Sequence, residues 1–518
     1  MQELSPIFSP CAIKYAFDEL DYHANNFSTY NVLPGPVDRT FISDTVIPLN
    51  LNESLICLAS KLEAAMKKNL NIQLYPNNQT LDLIDPSLYP VVFGETRAIS
   101  KNLEPDHVVD WKSVIGAGDI SNVIHNLHNN LNSTTHSTNS VAKYDCYSSK
   151  YQWLPTEFGI DSAGNAKILS YINNLHPDTH KELYTTIEKI FQLFIPLIQN
   201  TLIDSITSNI INRSPRIPTD SYYDESFEEF SERICISEGL LTKTQSLNSK
   251  SDKFDIDDLE IDIIEDLYDR YDEEKIVEPP NNINFDPARL LNNQTTIDLS
   301  NTRLQVFVKI ESITLTPENP KYHGELYHVD GIQNECIASS AIYVYDLNNV
   351  SETQLDFCVQ VVDPSFEYDS DMAVELIYDL DFEGKNCFQR IGHINANLNK
   401  CIAYPNIYKH KLSPFELIDD TKPGHCKLLY FFLVDPSKRI ISSAIVPPQQ
   451  KSWFCTELNK SQNKVNSLPY EISQLIFNKL NWPMSSAIAN DHRVKLINER
   501  NALLAKNSKS QSNIYNAM

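Results

Sequence analysis

From residue 303 onward, short β-rich segments follow one another with turn residues between them, and this pattern constrains the fold more than any other feature. In chain order the segments read RLQVFVKIESITL, IASSAIYVYDL, LDFCVQVV, CIAYPN, KLLYFFLVDP and RIISSAIVPP. Parallel strands need a crossover of helical length between them, and no helical pattern separates these segments. The sequence therefore predicts an antiparallel sandwich or barrel for this region.

Helical patterns lie on both sides of the β-rich region. The segment ESLICLASKLEAAMKK, at 53–68, has apolar residues three to four apart and lysines in its last turn, as an amphipathic helix does. A second helix is predicted in DTHKELYTTIEKIFQLFIPLIQNTLIDSI, where Pro196 should cause a kink. After residue 464 the pattern becomes helical again. The whole chain is therefore expected to have an α+β fold.

Changes in composition divide the chain into six predicted segments. They are an N-terminal mostly helical or irregular module, an Asn-rich loop, a helical buttress, an acidic insertion or linker, a β-rich core, and C-terminal helices with a tail. Their boundaries are 1–120, 121–146, 147–217, 218–295, 296–460 and 461–518. Between 220 and 278, 20 acidic residues stand against 6 basic ones. This stretch predicts a solvated insertion, and the alternative is a docking segment for a basic protein partner.

The charge and the glycine content argue against two classes of function. A net charge of −25 is unfavourable for nonspecific binding to nucleic acid, which requires concentrated Lys and Arg. With 12 Gly, the sequence contains neither GxGxxG nor GxxxxGK[ST], the glycine-rich loops that bind phosphates. We therefore expect no nucleic-acid partner and no glycine-rich phosphate loop.

The N-terminus and the cysteines indicate an intracellular protein, cytoplasmic or nuclear. The opening MQELSPIFSPCAIKYAFDEL has acidic residues and no basic stretch before an apolar core, so it does not predict a signal peptide. The apolar run FQLFIPLI, at 191–198, is too short to span a bilayer, so no membrane association is expected. The 10 cysteines form no CxxC pair, which favours reduced thiols.

Four pairs of the type His-x-Asp or His-x-Glu occur in the chain, and one of them predicts a metal site. Roughly two such pairs are expected by chance at ordinary Asp and Glu usage. The pairs are His176/Asp178, His180/Glu182, His323/Glu325 and His328/Asp330. The first two fall at the start of a predicted helix or inside it, where residues two apart do not share a face. In a strand they do, so His328 and Asp330, just before a predicted strand, can reach one ion.

A non-haem iron centre with two histidines and one carboxylate needs a third ligand on the same side of the metal. That ligand should be a histidine on a later strand, and the candidates are His393, His410 and His425. We favour His410, which ends a predicted strand, because a jelly roll brings distant strands side by side. His393 lies in a turn-rich link, and His425 adjoins the cation of the following strand.

Several long blocks of the sequence resemble a large fungal family known mainly as a domain of unknown function. The blocks are LDLIDPSLYPVVFGETR, YQWLPTEFGI with YINNLHPDTHKELY, YHVDGIQNE, YPNIYKHKLSPFELIDDTKPGH and FFLVDPSKRIISSAIVPPQQ. The resemblance runs from about residue 10 to 505, outside the Asn-rich loop and the acidic insertion. The C-terminal half of that family in turn resembles the double-stranded β-helix, or jelly roll, of oxygenases that depend on iron(II) and 2-oxoglutarate.

This second resemblance implies a jelly-roll core over 296–460, buttressed by helices from both ends. It implies iron(II) as the cofactor, held by His328, Asp330 and His410 as metal-binding and catalytic residues, and 2-oxoglutarate as the cosubstrate. The implied reaction is the hydroxylation of an unknown substrate, either a small molecule or a protein side chain. In such enzymes the cofactor carries the chemistry, and the protein supplies orientation and a dry pocket.

Two positions depart from the family's pattern. Asp330 stands where the family usually has Glu, and either carboxylate can bind iron. Cys426 and Lys427 stand where the family commonly has Arg-Lys. The oxygenase resemblance implies a cation on this strand, so we predict that Lys427 binds the distal carboxylate of 2-oxoglutarate. The alternative is that Lys427 faces solvent, in which case an inward-facing Cys426 leaves the anchor position vacant.

Two further functions remain open at this stage. A catalytically silent jelly roll could serve as a binding or scaffold module, with the acidic insertion recruiting a basic partner. The same three ligands could also hold zinc for hydrolysis, although no convincing general base accompanies them.

Overall fold

The computed structural model describes most of the chain. The described residues are 10–27, 31–68, 79–99, 108–120, 147–207, 226–239, 261–274, 297–360, 388–460 and 482–514, with isolated positions 285, 469, 471, 472, 475 and 479. The predicted Asn-rich loop at 121–146 lies outside them, as does most of the acidic segment between 240 and 296.

Both of the long helices predicted from apolar spacing are present. The helices are α1 (Pro10–Phe27), α2 (Leu49–Lys68), α3 (Trp111–Val114), α4 (Lys181–Thr207), α5 (Phe227–Ser237), α6 (Ile261–Glu274), α7 (Lys451–Lys460) and α8 (Ser486–Ile514). The segment predicted at 53–68 forms α2, and Pro196 lies inside α4 as predicted. Within the described ranges, no helix combines the length and the apolar composition needed to cross a bilayer.

Most of the short β-rich segments that begin at residue 303 form strands, as predicted. The strands of the described chain are β1 (Leu33–Pro34), β2 (Phe41–Ser43), β3 (Thr80–Ile84), β4 (Val91–Val92), β5 (Arg97–Ala98), β6 (Asp119–Ile120), β7 (Tyr151–Gln152), β8 (Thr156–Ile160), β9 (Ala166–Ile168), β10 (Arg303–Leu315), β11 (Lys321–Tyr322), β12 (Ile337–Asn348), β13 (Gln354–Gln360), β14 (Phe388–Asn395), β15 (Cys401–Pro405), β16 (Lys409–Leu412), β17 (Phe415–Glu416) and β18 (Gly424–Val434).

Nine of these strands form one antiparallel sheet. Its order is β1-β2-β15-β12-β18-β10-β8-β9, with β3 also paired to β10. A separate three-stranded sheet has the order β14-β13-β16, and three two-stranded ladders complete the set. In the described residues these sheets do not close into a barrel. The fold is thus mixed α and β with antiparallel sheets, which confirms the α+β prediction at that level.

One face of the nine-stranded sheet packs against the helices. On β18, Leu429, Phe431 and Leu433 point to this face and join the main apolar core. The ring of Phe431 lies 5.1 Å from that of Phe191 and 5.6 Å from that of Phe194, both on α4. Full burial of an apolar side chain of this size contributes about 1.5–3 kcal/mol, so these contacts determine which face of β18 turns inward to the helices.

The opposite face of the same strand lines a cavity. Because side chains alternate along a strand, Leu428, Tyr430 and Phe432 point away from the helices and into this space. Leu355 on β13 and Leu412 on β16 line its other side. The cavity therefore lies between the nine-stranded sheet and the three-stranded sheet.

The described acidic helices belong to a compact unit of their own. This unit comprises Met1–Tyr22, Asn209–Leu290 and Gln360–Arg390, and the remaining residues form the unit that contains the cavity. Within it, α5 and α6 pack through the buried Phe230, Ile234 and Leu267. The acidic side chains of α6 at 262, 265, 266 and 269 are exposed. That this segment is a solvated insertion stays a prediction, as does the alternative that it docks a basic protein partner.

Candidate metal centre

His328, Asp330 and His410 lie together at one end of the cavity. Each offers one donor atom, and these atoms lie within 4.8 Å of one another. The backbones of the two histidines form a β-bridge, in which His328 N–H donates to the carbonyl of His410 over 3.0 Å and the return bond measures 2.8 Å. The bridge brings the two imidazoles side by side, with ring centroids 4.6 Å apart.

An asparagine holds the backbone of Asp330. Asn406 accepts the N–H of Asp330 through Oδ1 over 2.9 Å and donates from Nδ2 to the carbonyl of Asp330 over 2.8 Å. Gly331 follows with a φ of +68°, a left-handed conformation that favours glycine. It allows the sharp turn from Asp330 into the short 3₁₀ turn Gln333–Glu335. The position of the carboxylate is therefore determined by its own backbone contacts.

The carboxylate of Asp330 is buried and, within the described chain, receives hydrogen bonds only from neutral groups. Ser340 Oγ donates to Oδ2 over 2.6 Å, and the hydroxyl of Tyr404 donates to the same oxygen over 3.4 Å. Burial and the nearby Asp330 raise the pKa of Tyr404 well above its usual range, so the phenol keeps its proton. No described Lys or Arg pairs with Asp330, whose one ion-pair contact is His410 at 3.6 Å. A buried carboxylate without a cation is costly.

Both imidazoles present a nitrogen suited to a metal. His328 Nδ1 lies 2.9 Å from the carbonyl of Leu326, which holds the proton on that nitrogen and leaves Nε2 as a lone-pair donor. Burial lowers the pKa of His410 to about 4, against the opposing attraction of Asp330, so this ring is neutral near pH 7. Its Nε2 lies 3.0 Å from the hydroxyl of Tyr404. Its Nδ1 is buried.

The donor set fits a metal ion. Two imidazoles and one carboxylate, crowded at the end of a cavity, are the ligands of non-haem iron(II) centres, and zinc accepts the same set. A divalent cation would also supply the positive charge that Asp330 lacks in the described chain. The three residues could therefore hold iron(II), and that role stays a proposal.

The other candidate histidines lie elsewhere. His393 is exposed on β14, and His323 is exposed in the loop after β11. His425 Nε2 lies 2.9 Å from Asp346 Oδ1 and takes no part in the cluster. Of the three histidines considered for the third ligand, the structure brings His410 next to His328 and Asp330.

Lys427 does not reach the cavity, which corrects the prediction that it binds the cosubstrate. Its neighbour Leu428 lines the cavity, so Lys427 points to the helical face of the same strand. There its Nζ lies 3.5 Å from Glu63 Oε2, on α2, and 3.3 Å from Asp346 Oδ2. The alternative of a solvent-facing lysine is wrong too, because Lys427 is 8% exposed.

Cys426 occupies the cavity side of the strand, where the resemblance suggested an arginine. The residue is fully buried, and burial raises the pKa of its thiol, with the carboxylates of Glu311 and Glu325 adding to the effect. It therefore provides no positive charge there.

Comparison with known protein families identifies relatives of the chain. The sequence profile of the family described as protein of unknown function (DUF4246) matches residues 10–457. The chain belongs to this family. The prediction of membership in a family of unknown function is confirmed, and the family's description states no reaction. A comparison with curated proteins gave no match.

Several solved structures show limited similarity to this chain. One is the Fe(II)/α-ketoglutarate-dependent dioxygenase TqaL, with 16% identity, a TM-score of 0.18, and coverage of 30% of this chain and 54% of the other. A bsmA homologue from Methylobium petroleophilum PM1 has 11% identity, a TM-score of 0.17, and coverage of 26% and 42%. IDO from Bacillus thuringiensis has 10% identity, a TM-score of 0.17, and coverage of 33% and 56%. The chain thus spans about half of the length of these proteins, and TM-scores this low carry no argument.

A second lysine, Lys309, lies at the cavity and was not among the residues predicted from the sequence. Lys309 lines the cavity from β10 and is the one Lys or Arg among the described lining residues. Its Nζ lies 3.4 Å from Asp82 Oδ1 and 3.2 Å from Glu311 Oε1, and 5.1 Å from the centroid of the Tyr430 ring. The signal was present in RLQVFVKIESITL, where Gln305, Lys309 and Glu311 place polar groups on one face of the strand.

Proposed function

We propose that this protein is a non-haem oxygenase that uses iron(II) and 2-oxoglutarate to hydroxylate an unknown substrate. One observation supports this most. A buried carboxylate with no described cationic partner, Asp330, lies beside His328 and His410 at the end of a largely apolar cavity. Structural ion pairs are completed by Lys or Arg, and a site built for a metal ion is not.

In this proposal the protein's own residues hold the metal ligands in place. Ser340 and Tyr404 donate to Oδ2 of Asp330, which orients the carboxylate. When bound, iron(II) and 2-oxoglutarate supply the activation of dioxygen, and the cosubstrate leaves as succinate and carbon dioxide. Apolar side chains such as Ile342 and Ile402 line the remaining wall and exclude water from the reacting groups.

Lys309 takes the role that the sequence assigned to Lys427. One row of side chains crosses β10, β18 and β12 in register and contains Lys309, Tyr430 and Ile342. Ser340, which donates to the carboxylate of Asp330, precedes Ile342 by two residues on β12. With about 4.8 Å between strands and about 3.4 Å per residue, the Cα atoms of Lys309 and Ser340 are roughly 12 Å apart. A lysine side chain spans about half of that distance, and a five-carbon dicarboxylate can bridge the rest.

The hydrogen bonds around Lys309 allow it to bind an anion. The hydroxyl of Tyr430 donates to Glu311 Oε2 over 2.9 Å, so Glu311 keeps a partner when Lys309 turns to another carboxylate. We propose that the distal carboxylate of 2-oxoglutarate binds Lys309, on the part of the cavity wall formed by β10. A charge-assisted contact of this kind is stronger than a neutral hydrogen bond.

The finer description of the fold belongs to the same proposal. Two antiparallel sheets that face each other across a cavity, with donor residues between them, are the arrangement expected of a double-stranded β-helix. We propose this jelly roll for 296–460, and we propose the division of the chain into the six predicted segments.

The decisive experiment combines metal analysis with turnover. Protein purified without oxygen and loaded with iron(II) should hold about one iron per chain and convert 2-oxoglutarate to succinate. The variant His328→Ala should lose both properties, because a ligand is removed. His393→Ala is the matched control, since this histidine is exposed and lies outside the cluster. It should behave as the natural protein does.

Other outcomes would select the rival functions. Stoichiometric zinc with no iron binding would favour the hydrolytic site, and iron binding without succinate formation would favour a silent binding module. Full iron content in His328→Ala would show that the three residues are not the metal ligands.

A further inference from the structure

A buried glutamate directly follows the loop that carries His328 and Asp330. Glu335 is fully buried, and its Oε2 accepts the N–H of Ile332 over 2.7 Å. Its Oε1 accepts the N–H of Trp153 over 2.8 Å. One carboxylate therefore fastens the end of the loop 328–332 to a distant segment of the chain.

The cation that completes this carboxylate comes from the C-terminal helix. Arg500 on α8 is buried, and its Nη2 donates to Glu335 Oε1 over 2.6 Å. The family profile matches residues 10–457, so Arg500 lies beyond the matched part of the chain. An element outside that part thus pairs with a residue five positions from Asp330.

The loop and Glu335 are closely packed at Gly331. A Cβ atom on Gly331 would lie 2.9 Å from Cδ1 of Ile337 and 3.2 Å from both Cβ and Oε2 of Glu335. A side chain at this position would require Ile337 and Glu335 to shift, and the φ of +68° would strain it as well. A displacement of Glu335 would therefore also displace Gly331 and the neighbouring Asp330.

A second contact links the same arginine to the cavity wall. The guanidinium of Arg500 lies over the ring of Trp153, 4.2 Å from its centroid. The Trp153 ring in turn lies 6.1 Å from that of Phe432, which lines the cavity. Arg500 thus supports the site from two sides, through the loop and through the wall.

We propose that α8 positions the metal-binding loop through Arg500 and Glu335, which are positioning residues and touch neither metal nor substrate. Without this pair Glu335 would be an uncompensated buried charge and would release Ile332 N–H. The loop 328–332 would then lose one of the contacts that hold Asp330 near the two histidines. The contribution to metal affinity rests on the proposed function, and the ordering of the loop does not.

The first test compares two arginines of the same helix. Arg500→Met removes the partner of Glu335, while Arg493→Met removes a partly buried arginine of the same helix that pairs with Asp82 and Asp85. Hydrogen exchange of the Ile332 amide in the full-length metal-free protein should speed up by about tenfold or more in Arg500→Met, the scale of one lost hydrogen bond. It should stay within about twofold in Arg493→Met. Equal exchange in the two variants would overturn the proposal.

The second test measures iron(II) affinity by competition with a chromogenic chelator. Loss of an outer partner of a metal site typically weakens binding by about ten- to a hundredfold, and we expect this for Arg500→Met but not for Arg493→Met. Natural protein that binds no iron would reject the proposed function alone, because the exchange test still decides the role of Arg500.

A neutral variant covers the case in which Arg500→Met does not fold. The double variant Glu335→Gln/Arg500→Met leaves no uncompensated charge, so its fold should persist. Its Ile332 backbone N–H should exchange about tenfold faster than in the natural protein, because the glutamine side chain at position 335 has no cation to hold it in place. Exchange at the natural rate in this variant would show that Arg500 does not position the loop.

Discussion

Two buried carboxylates in the same unit of this protein have opposite surroundings. Glu157 accepts from Arg303 Nε over 3.0 Å, from Arg439 Nη2 over 2.7 and 2.8 Å, and from Ser442 Oγ over 2.5 Å. Asp330, in the described chain, accepts from the hydroxyls of Ser340 and Tyr404 and from no Lys or Arg. The first has two cations around it, and the second has no Lys or Arg partner among the residues that the structure describes.

The difference separates a carboxylate whose charge the protein itself neutralises from one that has no Lys or Arg partner among the described residues. Burial alone would raise the pKa of Glu157, but Arg439 and Arg303 lower it below the ordinary value. The charge of Glu157 is therefore neutralised within the protein, and no ligand is needed. Under the proposed function, a metal cation bound by Asp330 and the two histidines would supply the missing positive charge. Four predictions test this contrast, from the largest expected effect to the smallest.

The largest effect is expected at Glu157. The substitution Glu157→Ala should lower the free energy of unfolding by about 3–5 kcal/mol, because it leaves Arg303 and Arg439 without their buried partner. Urea unfolding of the metal-free protein measures this. A loss below about 1 kcal/mol would remove the contrast with Asp330, because neither carboxylate would then contribute much to the free energy of unfolding.

A second effect is expected on acidification of the metal-free protein. The pKa of His410 is about 4 in the folded state, below its ordinary value near 6.5. The unfolded chain therefore binds more protons between these values, and stability present above pH 6.5 is lost as the pH falls towards 4, by at most about 3 kcal/mol. Glu157 affects the pH dependence of stability only below its ordinary pKa of 4.5, because its folded pKa lies below that value. Its stabilisation is fully present above pH 4.5 and is lost as the pH falls through the folded pKa.

The measurement is the pH dependence of unfolding in the natural protein and in His410→Phe. The difference between the two curves isolates His410 from other buried histidines such as His492. Parallel curves between pH 4 and 6.5 would show that the imidazole of His410 is not held neutral by burial.

The third prediction concerns iron-dependent stability. Iron(II) at a hundred times its Kd should stabilise the natural protein by about 2.7 kcal/mol. Asp330→Asn should lose this increment, yet change the metal-free stability by less than about 1 kcal/mol, because it removes a buried charge that no described cation balances. Anaerobic urea unfolding with and without iron(II) measures both. A metal-free loss as large as that of Glu157→Ala would mean that Asp330 is structural.

The smallest effect is expected at the two lysines. Lys309→Met should weaken 2-oxoglutarate binding by about ten- to a hundredfold, the scale of one charge-assisted contact of about 1.5–3 kcal/mol. Lys427→Met is its control and should leave this affinity unchanged, because Lys427 pairs with Glu63 and Asp346 on the other face of the sheet. The metal-to-ligand absorption of the iron-loaded protein reports binding. A larger loss for Lys427→Met would reverse the assignment of the two residues.

The sequence by itself was informative wherever local spacing carries the information. The turn-separated β segments after 303 predicted the antiparallel sheets, and apolar spacing predicted α2 and α4. The two-residue spacing of His328 and Asp330 indicated a shared target, and the choice of His410 followed from its place near a later strand. These conclusions depend on periods of 2 and 3.6 residues, which the backbone imposes whatever the rest of the chain does.

The tertiary structure decided which face of each strand meets the cavity. The run KLLYFFLV is apolar at nearly every position, so alternation separates Lys427 from Leu428 without showing which of them faces the cavity. Packing of Phe431 on α4 turned the odd-numbered side chains of β18 to the helices, which excluded Lys427 and left Lys309 of β10 at the cavity.

The residues that contact the loop of Asp330 could not be predicted from the sequence either. Ser340, Tyr404, Asn406 and Arg500 support the loop of Asp330 from positions 10, 74, 76 and 170 residues further along the chain. No periodicity connects such positions, because their contacts exist only after strands and a terminal helix have packed. The sequence determined which residues could bind a metal, and long-range packing decided which neutral donors, cations and glycines surround them.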